Sequence, residues 1–385
     1  MRILHVTREG QSDQRYGLGK SLQPIVQALT LNGHTTTYLT RDDLNQSQKD
    51  NFQRWVKIIA GSFFSQSLKG VMRALVERIQ MGYVSMALAV KDGYTHVHAH
   101  DPWIGLGVLF GKWRLKPQNL RWGITQHGFG SYAAATLEDG LTQSKSVHKA
   151  LIYLEKWILS KASWVVSPTH LALQALAQDL SVTKIPQHWQ VVPHSLPGLG
   201  QLSTPTNRSQ LGWTDQDFVV LAVGRIVPLK QFDLLVRVCS SLSKKYPNLK
   251  LQILGDGDTA YLWTIAQNLE FADRLSVTSA DNIEGYYASA NIYVSTSRSE
   301  SFGMANLEAL GAGLPCVLSA AGGVSEVAGS GAWLIDCNQE SLSAAIAALI
   351  ESESLRKFWR QQALERVSGW PSIADVASKY ETIYR

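Results

Sequence analysis

The chain has 385 residues, of which 45% are hydrophobic and 17% are charged, with a formal net charge of +5 at neutral pH. This length exceeds one ordinary hydrophobic core and predicts two domains. The composition excludes a disordered or fibrous protein, and no apolar run approaches the ~20 residues that a membrane span needs. The N-terminus looks like a strand rather than a signal peptide. The odd number of cysteines, three, indicates a reducing compartment without a structural zinc. We therefore expect a cytoplasmic protein.

The charge is unevenly distributed along the chain. Residues 1–195 contain 21 Lys and Arg against 12 Asp and Glu, a net charge of +9, whereas residues 196–385 contain 15 against 19, a net charge of −4. A basic first half suggests an anionic partner, such as a membrane surface, a lipid phosphate or a nucleic acid. Scattered solvating lysines would explain the same excess.

Strand-like runs alternate with helix-like runs along most of the chain. The first six strand-like runs are RILHVT, TTTYLT, THVHAH, WGITQH, SWVVS and WQVVPH, with helices predicted between them, for example over Lys20–Asn32 and Val147–Lys161. After the linker-like passage PHSLPGLGQLSTPTN, six more follow: FVVLAVG, LKLQILG, LSVTS, NIYVSTS, PCVLSA and AWLID. The alternation predicts parallel sheets, and the restart predicts two of them, with a boundary near residues 196–208. Ligands are expected in a cleft at the carboxyl ends of the strands.

The stretch YGLGKS follows the first predicted strand and opens a helix, as a phosphate-binding P-loop does. Gln14 stands where a P-loop requires glycine, and Leu22 stands where a dinucleotide-binding motif requires its third glycine. Both motifs are therefore disfavoured. What remains is a helix N-terminus at which Gly17 and Gly19 let backbone N–H groups approach an anion.

Two further motifs resemble metal sites. The stretch HVHAHD puts His96, His98 and His100 on one face of a strand, and GDGD holds Asp256 and Asp258 at the spacing by which some sugar transferases bind a divalent cation. The sequence supplies no further ligand cluster to complete the histidine site, so packed or hydrogen-bonded histidines are favoured. The aspartates lie in a glycine-rich turn after a strand, so a turn is favoured there.

Cationic residues follow the first strand of the second half. The stretch VGRIVPLK ends that strand with Gly224 and Arg225, and Lys230 comes five residues after the arginine. Arginine offers a planar fork to phosphate oxygens, and lysine adds a point charge. Either residue alone would commonly be a solvated surface side chain.

The stretch SESFGMANLEALGAGLP places Glu300 just before an apolar helix-like run and Glu308 inside it. Burying an unpaired carboxylate costs roughly several kcal/mol, so a buried Glu308 needs a hydrogen-bond or ionic partner. A helix over residues 302–312 would present its first N–H groups, at Ser301–Gly303, to a phosphate. A carboxylate can accept hydrogen bonds from two adjacent sugar hydroxyls. A sugar, a diphosphate and a ribose therefore match Glu300, the helix end with its cations, and Glu308, in that order.

The stretches VGRIVPLK, ILGDGD, YYASANIYVSTSRSESFGMANLEALGAGLPCVLS and GGVSEV together resemble the retaining nucleotide-sugar transferases of glycosyltransferase family 4. The first half is similar more loosely, through MRILHVTRE, GLGKS, HVHAHDPW and ITQHG. The resemblance implies an α/β protein of GT-B architecture, with two doubly wound Rossmann-like domains facing across a cleft. Residues 1–200 would bind the acceptor, completed by a C-terminal helix at about 370–385, and residues 201–369 would bind the nucleotide sugar.

The resemblance also implies roles for individual residues. Arg225 and Lys230, after Gly224, would clamp the diphosphate. Glu300 would bind hydroxyls of the donor sugar and Glu308 would hold the ribose. The remaining implied contacts are the backbone of Ser301, Phe302 and Gly303 to the donor sugar, His127 to the transferred sugar, and Gly17 and Gly19 to the phosphates.

The function implied is transfer of a hexose from a nucleotide sugar, in the first place UDP-glucose or another UDP-hexose, to a glycan or lipid-linked acceptor in envelope or exopolysaccharide synthesis. No obligatory metal or other cofactor is expected, and the partners would be the nucleotide sugar, the acceptor and an anionic membrane surface, without nucleic acid. An epimerase of the same fold and a non-catalytic sugar-nucleotide-binding scaffold are the alternatives. The chain departs from the family pattern at Gln231, where glycine is usual, at His194, where asparagine is common, at the polar residue Asn306 within the apolar run, and in the long polar segment from Gly10 to Tyr16.

Overall fold

A computed structural model describes residues 1–10, 17–138, 141–196, 208–280 and 283–385. These residues divide into two compact units, one formed by Met1–His194 with Ile373–Arg385 and the other by Ser195–Ser372. Each unit is an α/β domain built on one parallel sheet, which confirms the predicted fold class of two Rossmann-like domains. The polar segment after Gly10, residues 11–16, and residues 197–207 of the linker lie outside the described residues.

The first unit contains a sheet in the order β2–β1–β3–β4–β5–β6, with every neighbouring pair parallel. Its strands are β1 Arg2–Val6, β2 Thr35–Leu39, β3 His96–Ala99, β4 Arg121–Thr125, β5 Val165–Ser167 and β6 Trp189–Val191. Its helices before the linker are α1 Gly17–Leu31, α2 Gln46–Ala60, α3 Gln66–Asp92, α4 Ile104–Leu115, α5 Tyr132–Glu138, α6 Lys145–Lys161 and α7 His170–Asp179. The inner strands are buried on both faces, as is usual where helices cover a parallel sheet.

The second unit contains a sheet in the order β12–β11–β10–β7–β8–β9, again parallel throughout. Its strands are β7 Phe218–Val223, β8 Leu249–Leu254, β9 Leu275–Thr278, β10 Ile292–Ser295, β11 Cys316–Ser319 and β12 Trp333–Ile335. Its helices are α8 Phe232–Ser243, α9 Ala260–Asn268, α10 Glu284–Ser289, α11 Met304–Gly311, α12 Val324–Ala328, α13 Gln339–Glu351 and α14 Glu353–Ser368. The strands β8 and β9 follow β7 on one side of the sheet, and β10, β11 and β12 lie on its other side. The strand order therefore reverses between β7 and β10.

The last helix, α15 Ile373–Tyr384, belongs to the first unit. Its apolar face is buried in a cluster with Ile3, Ile25 and Trp164 of that unit. The main-chain oxygen of Tyr384 also lies 2.7 Å from Nη1 of Arg121, which donates to it. The C-terminal residues are thus part of the core of the N-terminal sheet. No helix in the described ranges combines the length and apolar character needed to cross a bilayer.

Candidate functional site

The strand order of the second sheet reverses between β7 and β10, which lie side by side. The loops that follow two such strands diverge and leave a crevice beyond the strand ends, where ligands bind in open parallel sheets. The loop after β7 carries Gly224, Arg225 and Lys230, and the loop after β10 carries Glu300. The topology therefore brings together residues that are 70 positions apart in the sequence.

Lys230 and Glu300 form an ion pair at this point of the sheet. Nζ of Lys230 lies 2.5 Å from Oε2 of Glu300, and the two side chains are only 21% and 19% exposed. The loops that carry them are joined by a hydrogen bond from Arg298 N to Leu229 O (2.9 Å) and one from Thr296 Oγ1 to Lys230 O (2.7 Å). A cation and an anion are thus held together in one half-buried site.

Glycines at the ends of β7 and β8 have close neighbours. A Cβ on Gly224 would lie 3.3 Å from Cε of Lys230, whose side chain crosses the strand end. A Cβ on Gly255, at the end of β8, would lie 1.9 Å from the main-chain oxygen of Gly224. Arg225 follows directly and its side chain is exposed. The lysine side chain thus packs beside the strand end, and the arginine side chain lies at the surface.

Gln231 follows Lys230 in a left-handed conformation, with φ of +48°. This conformation costs a non-glycine residue about 1–2 kcal/mol, which explains why glycine is usual at this position in the family that the sequence resembles. Hydrogen bonds offset the cost here. Thr296 Oγ1 also donates to Gln231 O at 3.2 Å. The side-chain amide of Gln231 can be oriented so that its nitrogen and its oxygen both form hydrogen bonds. In that orientation the nitrogen donates to Thr296 O at 3.2 Å and the oxygen accepts from Arg298 Nε at 3.1 Å.

The predicted helix over residues 302–312 is wrong at its beginning. α11 begins at Met304, because Gly303 has φ of +83° and cannot continue a right-handed helix. Ser301, Phe302 and Gly303 form the turn before it, and the main-chain oxygen of Glu300 accepts a hydrogen bond from Gly323 N at 2.8 Å. The first N–H groups of the helix, which have no partner within it, are therefore those that begin at Met304.

The two polar residues inside α11 are both paired with buried tyrosines. Glu308 is 2% exposed, and its Oε2 accepts a hydrogen bond from the hydroxyl of Tyr287 at 3.0 Å. Asn306 is 3% exposed, and its Oδ1 accepts from the hydroxyl of Tyr293 at 3.0 Å. Burial, and then the nearby Glu308 carboxylate, raise the pKa of Tyr287 well above its usual value, so this phenol stays a donor. The departure at Asn306 thus has a structural explanation.

The GDGD stretch forms a turn at the end of β8. Oδ1 of Asp258 accepts from Ala260 N at 2.9 Å, at the beginning of α9, and the main-chain oxygen of Asp256 accepts from Ile226 N at 2.8 Å. Gly257, between the aspartates, has φ of +142°. These contacts account for the two aspartates as turn residues, as the sequence favoured.

In the first unit, a line of histidines runs along the ends of β1, β3 and β4. His5 Nδ1 and His100 Nε2 are 3.0 Å apart, and His100 Nδ1 and His127 Nε2 are also 3.0 Å apart. His98 bonds through Nδ1 to the hydroxyl of Tyr384 (2.6 Å) and through Nε2 to Thr125 Oγ1 (2.7 Å). Because both ring nitrogens of His98 and of His100 have hydrogen-bond partners, the arrangement fits packed histidines.

The same histidines could also be considered as metal ligands. One ring nitrogen from each of His5, His98 and His100 lies within 4.8 Å of the others, which is a spacing that a cation could bridge. A cation there would have to break hydrogen bonds described above, and the rings of His98 and His100 are stacked at 22° rather than converging on one point. The hydrogen-bonded interpretation therefore accounts for more of the geometry.

These histidines are kept neutral by their surroundings. Burial lowers the pKa of His5 to about 3 and the pKa of His194 to about 4. Burial, followed by the charge of neighbouring histidines, lowers the pKa values of His98, His100 and His127 well below the usual range. Neutral rings in a line can each donate one proton and accept another, which fits the contacts observed.

The other residues of the first unit that the sequence singled out can also be located in the structure. Gly17 and Gly19 lie in the first turn of α1, which begins at Gly17. His127 is half-buried after β4, and its ring stacks on that of His194 with centroids 5.7 Å apart. Asp101 is buried against Arg78, whose Nε donates to it at 2.7 Å, so this carboxylate is already engaged.

Sequence reasoning missed several residues of these sites. His5 lies opposite His98 in the parallel register of β1 and β3, and Tyr287 and Tyr293 support the polar residues of α11. Strand alternation would have put His5 on one face of β1, but its neighbour on β3 depends on the sheet order. The two tyrosines were visible only as part of an apolar run.

The chain was compared with known proteins. Residues 203–366 match the family model for glycosyl transferases group 1. An uncharacterized glycosyltransferase of Methanocaldococcus jannaschii is 28% identical over 185 residues, which cover 46% of this chain and 47% of that protein. The chain spans about half the length of the curated relatives it matches.

Solved structures show the same fold over the whole chain. Sucrose-phosphate synthase from Thermosynechococcus elongatus has a TM-score of 0.76 at 19% identity, covering 100% of this chain and 98% of that one. Anabaena Alr3699/HepE in complex with UDP-glucose has a TM-score of 0.74 at 18% identity, covering 100% and 99%. The chain therefore has the two-domain Rossmann-like fold of its GT-B structural neighbours, and residues 203–366 are similar to glycosyl transferases group 1.

Proposed function

We propose that the protein is a retaining glycosyltransferase of family 4 that moves a hexose from a UDP-sugar to a hydroxyl acceptor. The observation that carries the proposal is the Lys230–Glu300 ion pair at the switch point of the second sheet, beside the beginning of α11. An ammonium and a carboxylate held together match a ligand with an anionic diphosphate next to a hydroxyl-bearing sugar. The match of residues 203–366 to the glycosyl transferases group 1 model and the UDP-glucose complex of a structural neighbour support this choice of donor.

In this proposal the diphosphate lies against the cations after β7. Lys230 supplies a point charge, the exposed guanidinium of Arg225 supplies a planar fork, and the N-terminus of α11 supplies amide dipoles. Lys230 leaves Glu300 for the phosphate oxygens when the donor binds. Glu300 then accepts hydrogen bonds from hydroxyls of the donor sugar, with the backbone of Ser301–Gly303 nearby, and Glu308 holds the ribose.

The chemical step follows from these charges. The acceptor oxygen bonds to the anomeric carbon while the bond from that carbon to the diphosphate breaks, on the same face of the sugar. The acceptor proton passes to a phosphate oxygen of the leaving group. Lys230, Arg225 and the helix end stabilise the charge that grows on the diphosphate, which is the largest electrostatic contribution in reactions of this kind. A role for His127 at the transferred sugar, and for Gly17 and Gly19 at the phosphates, stays a prediction.

The two glutamates are expected to act on different parts of the donor. Glu308→Gln should weaken UDP itself, because the lost charge-assisted hydrogen bond is worth about 1.5–3 kcal/mol, or roughly 10- to 150-fold in Kd. Glu300→Gln should leave UDP affinity unchanged or slightly tighter, because Lys230 loses its intramolecular partner, and should lower sugar transfer. Isothermal titration with UDP and a transfer assay measure the two effects.

The matched control is Glu353→Gln, which removes an exposed carboxylate paired with Lys357 in the same unit. It should change neither UDP affinity nor transfer. Equal losses of UDP affinity in Glu300→Gln and Glu308→Gln would contradict the order of sugar, diphosphate and ribose along the site.

Turnover is expected to persist in excess EDTA. Lys230, Arg225 and the beginning of α11 together supply the positive charge that a divalent cation supplies in metal-dependent transferases. Transfer is measured in EDTA and after adding Mn²⁺ or Mg²⁺. Loss of most activity in EDTA that either metal restores would overturn metal independence.

The acceptor is proposed to be a glycan or a lipid-linked sugar of envelope or exopolysaccharide synthesis, reached from the cytoplasmic face of the membrane. The net charge of +9 on residues 1–195 supports an anionic acceptor or surface. An acceptor-dependence assay separates transfer from epimerisation, since an epimerase would release UDP and a rearranged sugar without acceptor.

A further inference from the structure

The turn between α2 and α3 exposes a cluster of large apolar side chains. Phe63 is fully exposed, and Trp55, Ile58 and Phe64 are 55%, 53% and 49% exposed. Trp55 and Ile58 are three residues apart on α2 and so lie on one side of that helix. We call residues 55–64 the hairpin tip. Single exposed apolar residues are normal on soluble proteins, whereas four within ten residues mark an interaction surface.

The hairpin tip is held in place by hydrogen bonds of its own. Ser62 Oγ donates to Ile59 O at 2.6 Å, and Lys69 Nζ donates to Ala60 O at 2.8 Å. Ser65 caps the beginning of α3. These hydrogen bonds close the turn, and the side chains of Phe63 and Phe64 remain exposed beside it. Such exposed rings contribute little to the core formed by the described residues.

Basic residues surround the hairpin tip. Residues 46–75 contain five basic side chains and one acidic one, Asp50, a net charge of +4. The five are Lys49, Arg54, Lys57, Lys69 and Arg73. All but Lys69 are exposed. Apolar rings bounded by long basic side chains are the composition of elements that lie in a membrane interface, where the rings enter the acyl boundary and the basic groups reach lipid phosphates.

We propose that the hairpin tip inserts into the interface of an anionic lipid bilayer and docks the protein there. An exposed turn with two phenylalanines can enter a bilayer, whose surface yields, more readily than it can fit a protein partner of fixed shape. The basic side chains add attraction to anionic lipids that falls with salt. The proposal stands apart from the transferase activity, since docking needs neither donor nor acceptor.

Flotation with vesicles tests the proposal. The full chain is mixed at low salt with vesicles made of equal parts phosphatidylcholine and phosphatidylglycerol, and in parallel with vesicles of phosphatidylcholine alone. It should float with the anionic vesicles, float much less with the neutral ones, and be released from the former by high salt. A chain that stays in the soluble fraction with anionic vesicles at low salt would overturn the proposal.

Two variants locate the contact. The double variant Phe63→Ser/Phe64→Ser should lower the vesicle partition coefficient at least about tenfold, because two large apolar side chains are lost from the interface. The double variant Arg54→Glu/Lys57→Glu should lower it by roughly fivefold or more per residue at low salt, and less at high salt. The side chains are exposed, so both variants should unfold at the temperature of the unaltered protein, which a thermal melt checks.

The matched control is Phe358→Ser, which removes a phenylalanine that is 52% exposed on α14 of the second unit. It should float as the unaltered protein does. If the phenylalanine variant floats as well as this control, the hairpin tip is not the docking element. If single-stranded DNA displaces the unaltered protein from vesicles and binds the phenylalanine variant equally well, the basic residues serve a nucleic acid and the proposal fails.

Discussion

Replacing Lys230 with methionine is expected to lower kcat/KM for sugar transfer by about 100- to 1000-fold, the cost of removing one preorganised donor to a developing negative charge. The Lys230 side chain is 21% exposed, its stem lies beside Gly224 at the end of β7, and its ammonium is paired with Glu300, so the charge is positioned within the site. Methionine keeps the apolar stem and removes only the charge. Initial rates at several donor concentrations measure the loss.

Lys245→Met is the matched control, since Lys245 forms an ion pair of 2.6 Å with Glu351 in the same unit, with both side chains more than half exposed. An exposed pair of this kind contributes little, so transfer should be unchanged. Combining Lys230→Met with Glu300→Gln should give less than the sum of the two losses, because the residues contact each other. If Lys230→Met lowers kcat/KM no more than Lys245→Met does, the Lys230 ammonium has no part in the proposed mechanism.

The free energy of unfolding of the first unit is expected to fall as the pH falls below about 6.5, the usual pKa of an unfolded histidine. The folded pKa values of His5, His98, His100, His127 and His194 are all lowered, so these rings stay neutral while the unfolded chain takes up protons. Stability is therefore complete above that pH and is lost progressively below it. Each ring contributes up to about 1.4 kcal/mol per pH unit.

One carboxylate opposes this trend. Burial raises the pKa of Glu155 to about 7 even though it accepts hydrogen bonds from Tyr132 N, Ala133 N and Trp103 Nε1. Folding therefore favours its protonated form between the unfolded pKa near 4.5 and pH 7, and its contribution rises as the pH falls through that range. The gain in stability from Glu155 offsets the loss from one histidine. The free energy of unfolding therefore still falls as the pH falls.

All ten histidines lie within residues 1–194, which makes the second unit an internal control. Urea unfolding at pH 7.5, 6.5 and 5.5, followed by brief proteolysis and identification of the fragments, reports the two units separately. His5→Asn should reduce the pH slope of the first unit by about one proton, whereas the variant His170→Gln, at an exposed position, should leave it unchanged. A first unit equally stable at pH 7.5 and 5.5 would contradict the neutral state of the buried histidines.

The element pattern could be predicted because it depends on local composition. Apolar runs such as FVVLAVG and LKLQILG, separated by amphipathic stretches, correspond to β7 and β8, with the ends shifted by one residue. The restart of the alternation predicted the second sheet. The order of strands was beyond reach, since it depends on which apolar surfaces meet in three dimensions. Without that order, neither the switch point between β7 and β10 nor the pairing of His5 with His100 can be derived.

The composition of the candidate site was easier to predict than its contacts. Arg225, Lys230, Glu300 and Glu308 were chosen for their chemistry and their spacing. That Lys230 bonds to Glu300, and that Tyr287 holds Glu308, depends on side chains brought together by folding. The beginning of α11 was placed two residues too early because the conformation of Gly303 cannot be read from an apolar run. The local sequence thus indicates which residues form the site, whereas the packing of the folded chain determines which of them contact each other.

Titration of the protein with UDP tests the central claim most directly, because it asks whether the second unit binds the donor nucleotide through the residues assigned to it. We predict saturable binding at one site per chain, weakened by Lys230→Met and by Glu308→Gln and unchanged by Lys245→Met and Glu353→Gln. Absence of binding by UDP, GDP and ADP alike, or binding that neither Lys230→Met nor Glu308→Gln alters, would contradict the account.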